Sequence, residues 1–261
     1  MATALITGAS SGIGLELAKV FAKTGHDVIL VARSEDKLQA LSDELSKAHG
    51  IQAAVFSYDL TERSAPQSLF DQVQQNGLTV DVLVNNAGYG DYGEFAKADW
   101  EKLEGMILLN VLALTNLTKL FLPGMVQRGS GKVLNVSSTA AFQPGPMMAV
   151  YFATKAYVLS FSEAIAAETE DQGINVTVLC PGPTQSDFIE TANMNQAAFA
   201  NKATEDKLPT AAEVAQFGYD ALQSGQVVAV HGLANKLMTF STRLAPRSLI
   251  RKGVKQFMSS D

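Results

Sequence analysis

Seven short runs of Val, Ile, Leu and Ala, six of them followed by a longer stretch with helical spacing, dictate most of what this chain can fold into. The runs cover residues 4–7, 27–31, 52–57, 80–84, 132–136, 175–179 and 227–230. They are apolar at successive rather than alternate positions, as strands covered on both faces are. Strand and helix in alternation close into a parallel sheet with crossover helices. Helices are predicted over residues 12–23, 34–47, 62–75, 100–127 and 150–170. Ser34 before Glu35 and Asp36 offers an N-cap and two charges that suit a helix start. Thr210-Ala211-Ala212-Glu213 has the spacing of a capping box. The expected fold is α/β, a doubly wound parallel sheet of about seven strands with helices on both faces. Ligands in such a sheet bind beyond the carboxyl ends of the strands.

At 261 residues, 47% hydrophobic and 18% charged, the chain is long enough to bury a large core. No linker, low-complexity run or repeat divides it, so residues 1–261 are expected to form a single domain. The first residues enter a strand directly, which argues against a secretory signal, and no apolar run approaches the roughly 20 residues of a membrane span. The single cysteine, Cys180, excludes an internal disulfide and is expected to be a small buried hydrophobe. His26, His49 and His231 are scattered without metal-ligand spacing, so no metal is expected. A soluble protein of a reducing compartment, the cytoplasm, follows.

The first run leads into Thr7-Gly8-Ala9-Ser10-Ser11-Gly12-Ile13-Gly14 and then a helix. Glycine tolerates positive φ and close backbone approach, and a helix N-terminus presents free N–H groups. Such a turn makes a dinucleotide phosphate site, with Gly8, Ser10, Ser11, Gly12, Ile13 and Gly14 as candidate contacts. After the second run an acid would hold a ribose 2′-hydroxyl, but the sequence there is Val31-Ala32-Arg33-Ser34. A carboxylate repels a 2′-phosphate, whereas a guanidinium pairs with one. Arg33 therefore points to NADP(H); its other reading is a solvated loop cation.

Tyr151 and Lys155 stand one helical turn apart on a shared face, and Ser138 lies thirteen residues before the tyrosine. Reducing a carbonyl requires hydride at carbon and a proton at oxygen. A tyrosine can give the proton, but its pKa near ~10 makes it a poor base at neutral pH. The charge of Lys155, with an oxidised nicotinamide, is expected to lower that pKa. Ser137 and Ser138 both sit at the end of the fifth run, where either hydroxyl could polarise a substrate oxygen. Asn110 falls inside a long helix, where an amide is a mediocre helix former. A local kink holding water near Lys155 would account for it.

These features, with Asp59-Leu60, Asn85-Asn86-Ala87-Gly88 and Pro181-Gly182, resemble the short-chain dehydrogenase/reductase family in its compact Rossmann-type form. The resemblance runs in family order from residue 7 to 182. It implies a catalytic tetrad of Asn110, Ser138, Tyr151 and Lys155, with Ser138 preferred over Ser137 by its spacing to the tyrosine and Asn110 as a proton relay. It also implies that Asp59 accepts from the adenine amino group, with Leu60 beside it. Asn86, Ala87 and Gly88 are implied to support the cofactor through backbone contacts. Tyr151 and Lys155 are implied to touch it as well, followed by Pro181, Gly182 and Thr184. A sugar-nucleotide epimerase also pairs Tyr-x-x-x-Lys, usually with a longer chain and different glycine spacing. A cofactor-binding redox sensor without turnover would predict a damaged tetrad, and this one is complete.

Residues 184–209 are polar and rich in Met, Ala and Asn. With Phe188, Met194 and Phe199 they are expected to form a lid over the substrate. Net charge is −6, but residues 221–260 hold six cations and no acid, leaving −12 on the remainder. Leu233, Leu237, Phe240 and Leu244 make one apolar stripe, Pro246 breaks it, and Leu249, Ile250, Val254, Phe257 and Met258 make another. This tail, residues 232–261, is expected to close the substrate cleft, join a homo-oligomer contact, or meet a membrane or acyl carrier. Nucleic acid is not expected, because the acidic bulk of the chain opposes it. The expected activity is NADPH-dependent reduction of an apolar, lipid- or steroid-like carbonyl, or oxidation of the matching alcohol.

Overall fold

A computed structural model describes residues 1–186, 188–193 and 208–258. Seven strands form one parallel sheet: β1 (Thr3–Thr7), β2 (Asp27–Ala32), β3 (Ala53–Ser57), β4 (Val82–Asn85), β5 (Gly131–Val136), β6 (Ile174–Cys180) and β7 (Val228–Val230). Their order is β3-β2-β1-β4-β5-β6-β7. The chain starts in the middle, winds outward through β2 and β3, and crosses back to β4 beside β1. That crossing puts the ends of β1 and β4 next to each other, where an open α/β sheet has its binding crevice.

Alternation along each strand feeds two cores. Ala4, Ile6, Val28, Leu30, Val82 and Val84 face one side, under α1 (Gly12–Lys23), α2 (Glu35–His49) and α8 (Ala211–Gln223). Leu5, Ile29, Val31 and Leu83 face the other, under α3 (Ala65–Gln75), α5 (Leu114–Arg128) and α6 (Ala149–Thr169). The central strands thus bury both faces, as their uniform apolar composition predicts, while the edge strand β3 stays half-buried.

Several local expectations change. Ser34 makes no side-chain cap; its carbonyl accepts from Leu38 N at 3.1 Å instead, while Glu35 and Asp36 do occupy the first turn of α2. The third helix starts at Ala65 rather than residue 62. Asp59 Oδ1 accepts from Thr61 N, and Glu62 is used up in tight turns ahead of Pro66. The Thr210 capping box forms as expected.

The predicted helix at 100–127 is α4 (Trp100–Ile107), a π turn (Leu108–Ala113) and α5 in one rod. Contrary to the expectation of no span-length apolar run, this rod is long and apolar enough by composition, with mean hydropathy 1.6 over its best window. Burial accounts for part of that composition, with 39% of the apolar stretch buried: Leu117, Phe121 and Met125 pack into the core beneath the sheet, while Ile107 and Leu112 are exposed.

A short helix, α7 (Phe188–Thr191), follows β6. The tail forms α9 (Leu233–Leu244) and α10 (Arg247–Met258) on either side of Pro246.

Candidate active site

The glycine turn is shaped by contact more than by flexibility. Gly8 has φ +68°, and a Cβ there would meet Asn86 Nδ2 at 2.8 Å. A Cβ at Gly14 would lie 2.2 Å from the Gly8 carbonyl oxygen. Thr7 fastens the same corner: its Oγ1 donates to Val84 O and accepts from the N–H groups of Asn86 and Ala87, both at 3.0 Å. Asn86 Nδ2 donates to Thr7 O at 2.9 Å. Above this corner α1 begins after Ser11, whose side chain makes no capping bond, with Ser10 part-buried and Ile13 packed into the core. A bare backbone cradle under an uncapped helix N-terminus fits a dinucleotide pyrophosphate.

Arg33 is exposed beyond β2, on the neighbouring corner to Asp59. Burial alone would raise the Asp59 carboxyl. Two bonds from Thr61 and the charge of Arg33 outweigh it and hold the group below the usual carboxylate range. Leu60 is buried and lines a small cavity with Thr7 and Ala87. Asn85 points the other way: its Nδ2 donates to Thr118 Oγ1 and Asn135 Oδ1 inside the protein. On the far side, Pro181 O accepts from Thr139 N at 2.8 Å, and buried Thr184 donates to Gly182 O at 3.0 Å.

The four tetrad positions converge. Ser138 caps a short 3-10 turn, accepting from Ala140 N and donating to Pro181 O at 3.4 Å, and its side chain lies beside Tyr151. Ser137 is committed elsewhere, donating to Lys155 O at 2.8 Å. Of the two serines, Ser137 is thus turned into the protein and buried. Lys155 Nζ donates to Val136 O at 2.9 Å and lies 5.7 Å from the centre of the Tyr151 ring. Asn110 sits in the π turn, where its Nδ2 donates to Tyr89 O and Thr154 Oγ1 and its Oδ1 accepts from Tyr89 N. A Cβ at Gly88 would stand 3.0 Å from Asn110 Oδ1 and 3.4 Å from Lys155 Nζ, so Gly88 keeps a narrow gap open between them.

Titration differs from expectation. Within the chain itself Tyr151 is not lowered: burial pushes its hydroxyl up to about 12, against the Ser138 hydrogen bond. Burial also pushes Lys155 down to about 8. Desolvation disfavours both charged forms, and it is the largest cause of each shift. Cys180 is buried and pushed up to about 12, an inert thiol as expected.

The profile of the short chain dehydrogenase family matches residues 2–197. The chain belongs to the short-chain dehydrogenase family. It is 37% identical over 186 residues to the very-long-chain 3-oxoacyl-CoA reductase of Anas platyrhynchos, a match covering 69% of this chain and 59% of that protein. The match thus spans about three-fifths of the relative's length. Among solved structures, a short-chain dehydrogenase from Sphingobium yanoikuyae in complex with NADPH superimposes with TM-score 0.83 at 30% identity, covering 99% of this chain and 97% of that one. The bulky-bulky ketone specific alcohol dehydrogenase from Comamonas testosteroni gives TM-score 0.79 at 27% identity, over 94% and 92%.

In this short-chain dehydrogenase the cleft beside Tyr151 is walled by Phe95, Ala98, Leu103, Met106, Met147 and Met148, with Asp91 as the carboxylate among the described lining residues. Phe188, from the expected lid, packs 5.3 Å from the Tyr151 ring. Met194, Phe199 and the Phe257 side chain lie outside the described residues. The second tail stripe reaches the same place: Val254 and Met258 are buried in the cluster that holds Tyr151, and Tyr92 donates to Met258 O at 2.7 Å. The first stripe does not pack inward; Leu233, Leu237, Phe240 and Leu244 are exposed. Sequence reasoning missed Tyr89, Tyr92 and Thr154. Thr154 had a signal, since it stands next to Lys155 on the catalytic helix. The two tyrosines act through a backbone amide and a distant carbonyl, and no spacing reveals that.

Proposed function

We propose that the chain is an NADPH-dependent carbonyl reductase acting on bulky apolar ketones or the matching alcohols. The observation that carries this reading is Tyr151, with Lys155 one helical turn away and Ser138 beside it, lining a cleft walled by methionine, leucine and phenylalanine. Ser138 and Tyr151 together hold a carbonyl oxygen, and Tyr151 gives it a proton. The charge of Lys155 stabilises the tyrosinate that forms, and Asn110 and Lys155, facing each other across Gly88, return a proton to it. A reduced nicotinamide supplies the hydride, its diphosphate held by Gly8 to Gly14 and its ribose phosphate by Arg33. Asp59, Leu60, Asn86, Ala87, Pro181, Gly182 and Thr184 complete the cofactor site. The cleft offers a nucleotide sugar few polar side chains, which disfavours an epimerase. A homo-oligomer and a cytoplasmic location complete the proposal and rest on composition and family resemblance.

A panel of ketones graded by size and polarity, followed by NADPH oxidation, tests the reading. Bulky apolar ketones should turn over fastest. Cofactor binding without turnover of any carbonyl would support a sensor instead.

NADPH should bind at least tenfold more tightly than NADH, about 1.4 kcal/mol from one charge-assisted contact at Arg33. Titration calorimetry with each cofactor measures this, and equal affinities would remove Arg33 from the site. Ala32→Asp combined with Arg33→Ser should shift the preference towards NADH.

The pH dependence follows from Lys155. Its pKa is depressed to about 8, so the ammonium is present below that pH and lost above it. Tyr151, pushed up to about 12, keeps its proton throughout. The rate of reduction should be level from about pH 6 to 7 and fall as pH rises through about 8. A profile flat to pH 10 would take the Lys155 charge out of the mechanism.

A further inference from the structure

We propose that the exposed face of α9 docks on an anionic lipid bilayer. Leu233, Leu237, Phe240 and Leu244 are 74%, 63%, 58% and 75% exposed. Steps of four, three and four residues line them up along one side of a helix about 18 Å long. Thr239, away from that line, is the buried residue of α9. Single exposed apolar residues are ordinary on a protein surface, but an aligned stripe continued past Pro246 by Leu249 is not.

The charges select the occupant. Lys236 and Arg243 lie about 80° around the helix from the stripe; Lys236 Nζ rests 5.8 Å from the centre of the Phe217 ring, and Arg243 stands where a long cationic side chain reaches phosphates while its stem stays on apolar surface. Arg247, Arg251, Lys252 and Lys255 continue as exposed cations along α10, which Val254 and Met258 anchor to the protein. None of these six cations forms an ion pair with a described side chain. With +6 here and −12 elsewhere, an anionic surface attracts this face and repels the rest of the molecule, which sets the orientation. A second copy joined through the same face by a two-fold axis would place like charges against each other, and that opposes a dimer here. Docking would bring the cluster that α10 shares with Tyr151 close to the phase in which apolar carbonyls dissolve. The docking itself does not depend on the reaction.

Sedimentation of the full chain with vesicles tests it, using phosphatidylglycerol mixed with phosphatidylcholine against phosphatidylcholine alone. At about 0.05 M salt the bound fraction should be at least tenfold higher on the anionic vesicles, and most of that excess should vanish at about 0.5 M. Two variants separate the contributions: Leu237→Glu with Phe240→Glu, and Lys236→Glu with Arg243→Glu and Arg247→Glu. Each should cut binding at least tenfold while retaining the parent's circular dichroism spectrum. All the substituted side chains are on the surface, so either variant that folds keeps the test decisive. Absence of binding at low salt, equal binding to both vesicle types, or variants that bind like the parent would overturn the proposal. So would a parent dimer that Leu237→Glu with Phe240→Glu splits in sedimentation velocity, since the face would then belong to a second copy.

Discussion

Tyr151→Phe should lower carbonyl reduction by about three orders of magnitude while NADPH affinity stays within about twofold of the parent. The substitution removes one oxygen and leaves the ring, which packs against Phe152 and Phe188. Stability should therefore hold, because the packing of the ring is unchanged. The removed oxygen is the proton source beside the carbonyl, so the loss should appear in kcat with KM little changed. Steady-state kinetics on the best ketone of the panel, with calorimetry for NADPH, makes the measurement. A variant working at near the parent rate would show that another group gives the proton.

Gly14→Ala should weaken NADPH binding at least a hundredfold, and Gly12→Ala much less. The two glycines serve different ends. At Gly14 a methyl group would stand 2.2 Å from the Gly8 carbonyl oxygen and 2.4 Å from Asn86 Nδ2, so the turn itself must move. Overpacking of this kind costs about 1–3 kcal/mol or more, and here the atoms displaced are those that would face the diphosphate. At Gly12 the nearest contact for a Cβ is Ser186 Cβ at 3.7 Å, and only the φ of +55° is unfavourable. That strain costs about 1–2 kcal/mol. Calorimetry alongside thermal unfolding separates cofactor loss from fold loss. Equal behaviour of the two variants would mean that close packing is not what Gly14 provides.

The strands were legible because the central ones are buried on both faces, and burial leaves a continuous apolar signature that local context cannot disguise. Their ends were legible to within two residues, and the phosphate turn was readable because glycine spacing records backbone approach directly. Side-chain partners were not. Ser137 and Ser138 differ only in which way a strand end turns, which depends on Lys155 and Pro181 far along the chain. Asn110 read correctly as a local irregularity, but its partner is the backbone of Tyr89, and a backbone group leaves no residue type to find. The pKa expected for Tyr151 went astray for a related reason: proximity to Lys155 can be read from spacing, whereas the extent of desolvation cannot. The tail's two stripes look alike in sequence, yet only the one on α10 finds a buried cluster to join.

The π turn at Leu108–Ala113 has a consequence for how the two halves of its rod are phased. A widened turn holds one residue more than an α-helical turn, so everything after it is rotated by roughly 100° relative to an uninterrupted helix. Before it, Leu103 and Met106 face the cluster around Tyr151; after it, Leu117, Phe121 and Met125 face the core beneath the sheet. One rod thus meshes with two differently aimed surfaces, like a cam with offset lobes on a single shaft. Deleting Leu112 would remove only the extra residue and let the wide turn close into α-helix with both halves aimed as before. Inserting a residue beside Leu112 would instead put the halves out of step, turning one apolar face towards water, and thermal unfolding should show a far larger loss for the insertion than for the deletion.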